Sequence, residues 1–220
     1  MSANVSEVLR LLRGEYGERR WQPHRDPVST LVATILSQNT SDANSSRAFH
    51  TLMAAFGGCE SVAAAQPEDL AGLIRTGGLA EIKAGRITLV LQEIQRERGS
   101  LDLDFLKEMP LAEARSWLMQ LPGVGPKTAS CVLLFSLGRP ALPVDTHVLR
   151  VSRRLGLIDS RTNAERAHRL LEGMIPAKDV YSFHLNVIEH GRRVCRAQRP
   201  RCGSCVLREI CPSASFWDSG

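Results

Sequence analysis

Aromatic side chains are scarce, at 5% of 220 residues, and Leu, Ala, Ile and Val carry the apolar pattern instead. That scarcity argues against sheets, which favour aromatic and β-branched residues, and for packed helices. No apolar run approaches the ~18 residues of a membrane-spanning helix. The first residues, Met1-Ser-Ala-Asn-Val-Ser-Glu, lack the basic-then-apolar order of a secretory signal. The expectation is an intracellular, cytoplasmic protein with no membrane partner. There is no internal repeat and no low-complexity tract. A net charge of +5 is compatible with a polyanionic partner but does not single one out.

In a reducing compartment, six cysteines ask for an explanation other than disulfides. Cys195, Cys202, Cys205 and Cys211 form a C-x6-C-x2-C-x5-C pattern, and four thiolates in so short a segment imply a metal centre. Spacing alone leaves a [4Fe-4S] cluster and a structural zinc both open. It leans to the cluster, because zinc sites more often show two close pairs and only Cys202 and Cys205 form one. Cys59 and Cys131 stand alone in apolar surroundings and read as buried thiols. Around the cluster, Arg192, Arg193, Arg196, Arg199, Arg201 and Arg208 face a single acid, Glu209. Arginines on a metal-fixed loop make a rigid phosphate-binding patch.

The most informative stretch runs from Leu121 to His147. Leu111, Ala114, Trp117, Leu118 and Leu121 recur at helical spacing before it, and Ala129, Val132, Leu133 and Ser136 begin a second stripe. Two helices therefore flank the Pro122 to Gly125 turn, a helix-hairpin-helix. Gly123 and Gly125 lack a Cβ, which opens backbone angles closed to other residues and lets the turn's N–H groups, Val124's among them, approach a ligand closely. Those groups stand at the start of the second helix, where orphan donors and the positive dipole end favour an anion such as a DNA phosphate. Such a grip positions a duplex without reading its sequence. Pro126 suits the first helical turn, and Lys127 follows with its amine at the mouth of the turn, a candidate nucleophile. Asp145 directly precedes Thr146-His147-Val148-Leu149 and is an N-cap candidate. Each feature alone has an ordinary structural explanation; together they are specific.

Elsewhere, Val5, Val8, Leu9 and Leu12 outline a first helix. Asp26-Pro27 reads as N-cap and first residue of a second, with Leu31, Val32, Ile35 and Leu36 as its buried stripe. It ends in the polar run Ser37 to Asp42. A helix with Phe49, Leu52, Met53 and Phe56 stops at Gly57-Gly58, and Pro67-Glu68-Asp69 starts another. Leu79 follows two glycines in a loop, where a leucine is ordinarily tucked into the core. Ile82, Ile87, Leu91 and Ile94 then mark a longer helix. Later helices run from Asp145 through Leu155, near Asn163 to Met174, and from Asp179 to His190, closed by Gly191.

On Leu121-Pro122-Gly123-Val124-Gly125 with Lys127-Thr128-Ala129, on Val144-Asp145-Thr146-His147 and on the cysteine pattern, the chain resembles the helix-hairpin-helix DNA glycosylases, most closely their endonuclease III branch. The resemblance spans roughly Val28 to Cys211. It implies a bifunctional DNA glycosylase and abasic-site lyase acting on oxidised pyrimidines, with Lys127 as Schiff-base lysine and Asp145 as essential aspartate. It further implies a [4Fe-4S] cluster, a DNA contact at His147, Asn39 filling the gap left by an extruded base, and Leu79 inserted into the duplex as an apolar wedge. The chain departs from the family at Asn39, where glutamine is usual, at Ala80, often aromatic, and at Pro126, commonly basic. A monofunctional glycosylase of adenine or mismatch type is a second reading, disfavoured by Lys127. A catalytically silent DNA-binding protein is a third, and would need neither Lys127 nor Asp145.

The expected architecture is all-α in two helical domains. Residues 22–131 form a six-helix domain with the helix-hairpin-helix; residues 1–21 and 132–220 form a second, carrying the cluster loop, with the catalytic pair at the cleft between them. The expected partner is double-stranded DNA with damaged bases or abasic sites, bound by a monomer.

Overall fold

A computed structural model describes residues 3–217. Among the described residues there are twelve α-helices and no strand, and no helix is long and apolar enough to cross a membrane. The chain divides into two compact units, one of residues 23–139 and one of the segments before and after it.

The 23–139 unit is built round α6 (Ala80–Arg98), which packs against α2 (Pro27–Leu36), α4 (Cys59–Ala64) and α5 (Pro67–Ile74). Ala84, Ile87, Val90, Leu91 and Ile94 of α6 are fully buried, as are Leu31, Val32, Ile35 and Leu36 of α2. Each such large side chain contributes about 1.5–3 kcal/mol on leaving water. Asp26 caps α2, its Oδ1 accepting from the Ser29 N–H at 2.8 Å, and Pro27 opens the first turn. α3 (Asp42–Phe56) is capped by Ser41 and ends at Gly57 with φ +78°. The unit holds seven α-helices where six were expected, the addition being the short α4, which follows the two glycines at once. α7 (Leu111–Gln120) and α8 (Pro126–Cys131) form the hairpin, and α8 continues as a wider π-helical turn over Val132–Ser136. Ser136 Oγ donates to Thr30 Oγ1 at 2.7 Å, and Arg139 Nη1 donates to the carbonyls of Leu106 and Lys107 at 2.8 and 2.6 Å. The chain thus leaves this unit after Arg139 rather than after residue 131.

The other unit holds α1 (Val5–Tyr16), α9 (Thr146–Arg154), α10 (Ala164–Met174), α11 (Val180–Arg193) and α12 (Ala214–Trp217). Val8 and Leu12 of α1, Val148 and Val151 of α9, Leu171 of α10, and Phe183 and Val187 of α11 are buried. α11 does not close at Gly191, contrary to expectation, but runs on to Arg193. A Cβ at Gly191 would stand 3.0 Å from His147 Nδ1 and 3.2 Å from Arg150 Nη2. This glycine serves the close approach of α9, not the end of a helix.

Candidate functional site

In the hairpin turn Gly123 adopts φ +72°, and a Cβ there would collide with Nε, Cδ and Cζ of Arg86. Only glycine satisfies both constraints. The Val124 N–H donates to the Leu121 carbonyl at 3.1 Å and its side chain is buried, so Val124 shapes the turn from within. Gly125 caps α8 with extended backbone, its carbonyl accepting from Ala129 N–H at 3.0 Å. Lys127 lies half-buried in the first turn of α8, followed by the buried Thr128, Ala129 and Ser130. Orphan backbone donors and an amine stand together here, on a helix anchored through its remaining residues.

Two other segments of this unit carry non-glycine residues in the left-handed region: Asn39 and Leu79, both at φ +52°. Asparagine tolerates this conformation; leucine does so at about 1–2 kcal/mol, a strain that persists where surroundings fix it. Leu79 is 50% exposed rather than tucked into the core, and it is the N-cap of α6. Asn39 is exposed, whereas Gln38 is half-buried. Lys83, 1% exposed, anchors both segments by donating to Leu36 O at 2.8 Å and Gly77 O at 2.7 Å. Burial holds its amine below the ordinary lysine range. Lys83 is not among the residues the motifs single out. The signal was there: a charge on the stripe shared with Ala84, Ile87 and Leu91 demands partners.

In the second unit Asp145 Oδ1 accepts from Val148 N–H at 2.7 Å and caps α9. The residues leading to it, 141–144, are buried. His168 Nδ1 lies 2.9 Å from Leu142 O, His184 Nδ1 lies 3.0 Å from Pro143 O, and Glu172 accepts from Leu142 N–H at 2.6 Å. The strap before Asp145 is therefore pinned at consecutive residues, a role no sequence motif marks for these histidines. His147 Nδ1 lies 3.1 Å from Arg150 Nη2. Burial chiefly, with Arg150 and Arg192 nearby, holds the His147 ring below its ordinary value against the pull of Asp145. Arg192 and Arg193 are exposed at the end of α11; Arg193 pairs with Glu189 at 2.8 Å and lies 5.7 Å from the Tyr16 ring centroid.

Cys195, Cys202, Cys205 and Cys211 line one small cavity of about 20 Å³, with Val151, Leu155, Leu207 and Ala214 among its apolar walls. Arg154 Nη1 donates to Cys195 Sγ at 3.3 Å, and His190 Nε2 lies 3.5 Å from Cys205 Sγ. Burial pushes the Cys205 thiol up to about 11, and the other three cysteines add to it. Arg150 and Arg154, which no motif picks out, hold the loop backbone: they donate to the carbonyls of Cys195 at 3.1 Å, Arg196 at 2.6 Å and Ala197 at 3.0 Å. Among the described residues no three His, Cys, Asp or Glu are grouped to hold a metal ion. The sulfurs are spread round the cavity wall, an all-sulfur set suited to soft metals.

Residues 32–177 match the model of the HhH-GPD superfamily base excision DNA repair protein. Endonuclease III of Thermotoga maritima is 37% identical over 186 residues, covering 84% of this chain and 83% of the relative. A solved non-covalent endonuclease III–DNA complex superposes with a TM-score of 0.83 at 30% identity, covering 98% of this chain and 97% of that one. A trapped endonuclease III–DNA covalent intermediate, an estranged-adenine complex, gives the same TM-score and identity with 96% of each chain covered.

Proposed function

Since the chain belongs to the HhH-GPD superfamily of base excision DNA repair proteins and is a DNA glycosylase of that repair route, we propose that it removes oxidised pyrimidines from duplex DNA and then cleaves the abasic site by β-elimination. The observation that carries this reading is Lys127, an amine in the first turn of a helix that begins at an anion-ready glycine turn. A related structure is a trapped covalent protein–DNA intermediate, which supports a covalent route here.

The damaged nucleotide must leave the stack before its C1′ is accessible, and a damaged base is the cheaper one to extrude. Gly123 and Gly125 take backbone phosphate, with Val124 fixing their turn, and His147, Arg192 and Arg193 add contacts. Leu79 and Asn39 hold the emptied stack open. The Lys127 amine then attacks C1′ as the bond to the base breaks. Asp145 takes up a proton or stabilises positive charge on the sugar. Ring opening gives a Schiff base; loss of a C2′ proton breaks the C3′–O bond, and water releases Lys127.

We assign a [4Fe-4S] cluster to Cys195, Cys202, Cys205 and Cys211 in the unit formed by the chain's two ends. Four sulfurs round one small apolar cavity, with Arg154 donating to Cys195, support an all-cysteine iron-sulfur site. When bound, it crosslinks the four cysteines and so fixes the arginine-bearing loop against DNA. The protein acts as a monomer in this reading.

The test is borohydride trapping on a duplex with one oxidised pyrimidine. A covalent protein–DNA band is expected with the wild type and none with Lys127→Ala. An alkali-sensitive site without a band would replace the lyase reading with a monofunctional glycosylase; unchanged DNA would overturn the substrate assignment.

A further inference from the structure

One turn of α6 ties together the three segments proposed to meet DNA. Lys83 holds the carbonyls of Leu36 and Gly77, at the roots of the Asn39 and Leu79 segments. Arg86, three residues on, donates from Nη1 to Gln38 Oε1 at 2.6 Å, and its guanidinium fills the space beside Gly123 that a Cβ would need. Arg86 thus touches the hairpin turn and the gap-filling segment at once. Gln38 and Asn39 are neighbours with similar amides, and either has the chemistry to face an unpaired base. The structure separates them: Gln38 is half-buried with its oxygen engaged, whereas Asn39 is exposed at φ +52°.

We propose that Arg86 is a positioning residue that determines opposite-base specificity. By holding Gln38 it commits Asn39 alone to face the base left opposite the extruded nucleotide, and by lying against Gly123 it couples that choice to the seating of the hairpin on phosphate. A charge-assisted bond to an amide oxygen, with the guanidinium stacked against a turn, is stiffer than a bond from either neighbour alone. This inference rests on the reading of Asn39 as the gap-filling residue.

The experiment measures affinity of the full chain for duplexes with one tetrahydrofuran abasic analogue opposite A, C, G or T, and for the intact duplex. The wild type is expected to prefer the abasic duplexes and to rank the four opposite bases. Arg86→Met keeps an apolar stem against Gly123 but loses the donor; it is expected to compress the best-to-worst ratio by about tenfold. Gln38→Ala, at a half-buried loop position, removes the competing amide altogether and should keep the wild-type ratio. The double variant should regain most of the wild-type ratio, because without the Gln38 amide the loss of the Arg86 donor releases no competitor, and the two effects are therefore not additive. Arg86→Lys, which keeps a donor, should restore part of the ratio. A double variant whose ratio stays as compressed as in Arg86→Met would overturn the coupling while leaving the gap-filling reading intact. A wild type that binds abasic and intact duplexes alike would remove that reading, and this inference with it.

Discussion

The hairpin turn and the cysteine loop are both short and both assigned to phosphate, yet they are held in opposite ways. Around the turn, Leu121, Val124 and every residue from Thr128 to Leu134 are buried, so the surrounding packing fixes it. From Arg192 to Ser213, Leu207 alone is buried. The loop instead folds as successive tight turns, with Cys202 O accepting from Cys205 N–H, Cys205 O from Arg208 N–H and Arg208 O from Cys211 N–H, at 3.0–3.2 Å. Turns of that kind do not repay the ordering of so many residues, which costs about 1–2 kcal/mol each for the backbone. A segment without a core needs external ties, here Arg150, Arg154 and the cluster proposed for the four sulfurs.

The largest effect expected in the loop's unit separates its chemistry from its architecture. Asp145 both caps α9, the helix bearing Arg150 and Arg154, and is assigned the assisting carboxylate. Asp145→Asn keeps a good N-cap while removing the charge. Base release should fall by about 10²–10³-fold with an unchanged thermal midpoint. Asp145→Ala should lose the same activity and also about 1 kcal/mol of stability. Equal destabilisation by both variants would mean that the carboxylate is needed for more than the cap and the reaction.

Next comes the tie on which the loop depends. Cys205→Ser should abolish visible iron-sulfur absorption, leave the loop open to proteolysis between Val194 and Pro212, and weaken duplex binding by about tenfold or more. The hairpin, with its own core, should keep its protection in the same digest. Loss of protection at both places would show that the two regions do not fold on separate supports.

This contrast also explains what the sequence made legible. Features decided locally were readable: the caps Asp26 and Asp145, the Gly57 stop, the glycine turn and the cysteine spacing. Features decided by a distant partner were not. Gly191 reads as a stop, and only the nearness of His147 and Arg150 shows it to be a close approach. Arg86 belongs to no motif, and its role shows only once Gln38 and Gly123 are placed beside it. The hairpin unit extends to Arg139 because Leu106 and Lys107 supply carbonyls, a pairing no periodicity encodes.

Within the hairpin, Gly123→Ala tests whether packing is as decisive as the comparison holds. The left-handed angle costs about 1–2 kcal/mol for alanine, and the new Cβ must displace Arg86. The expected result is a thermal midpoint lower by about 4–8 °C and duplex affinity lower by about tenfold, with the cluster absorption retained. Gly125→Ala, where a Cβ meets nothing within 4 Å and φ is −95°, should be milder in stability and should act mainly on binding.

The smallest effect distinguishes the two kinds of phosphate contact. A backbone N–H in the hairpin carries no charge that a substitution removes, whereas each arginine on the loop adds one counterion-releasing contact. Arg201→Ala should lower the slope of log affinity against log salt by about 1 and reduce affinity only a few-fold at physiological salt. Arg193 must first leave its pair with Glu189 to reach phosphate, so Arg193→Ala should lower the slope as Arg201→Ala does but cost less affinity. A slope that did not move in Arg193→Ala would show that Arg193 stays with Glu189 and takes no part in binding DNA, and that the positive surface ends at the loop.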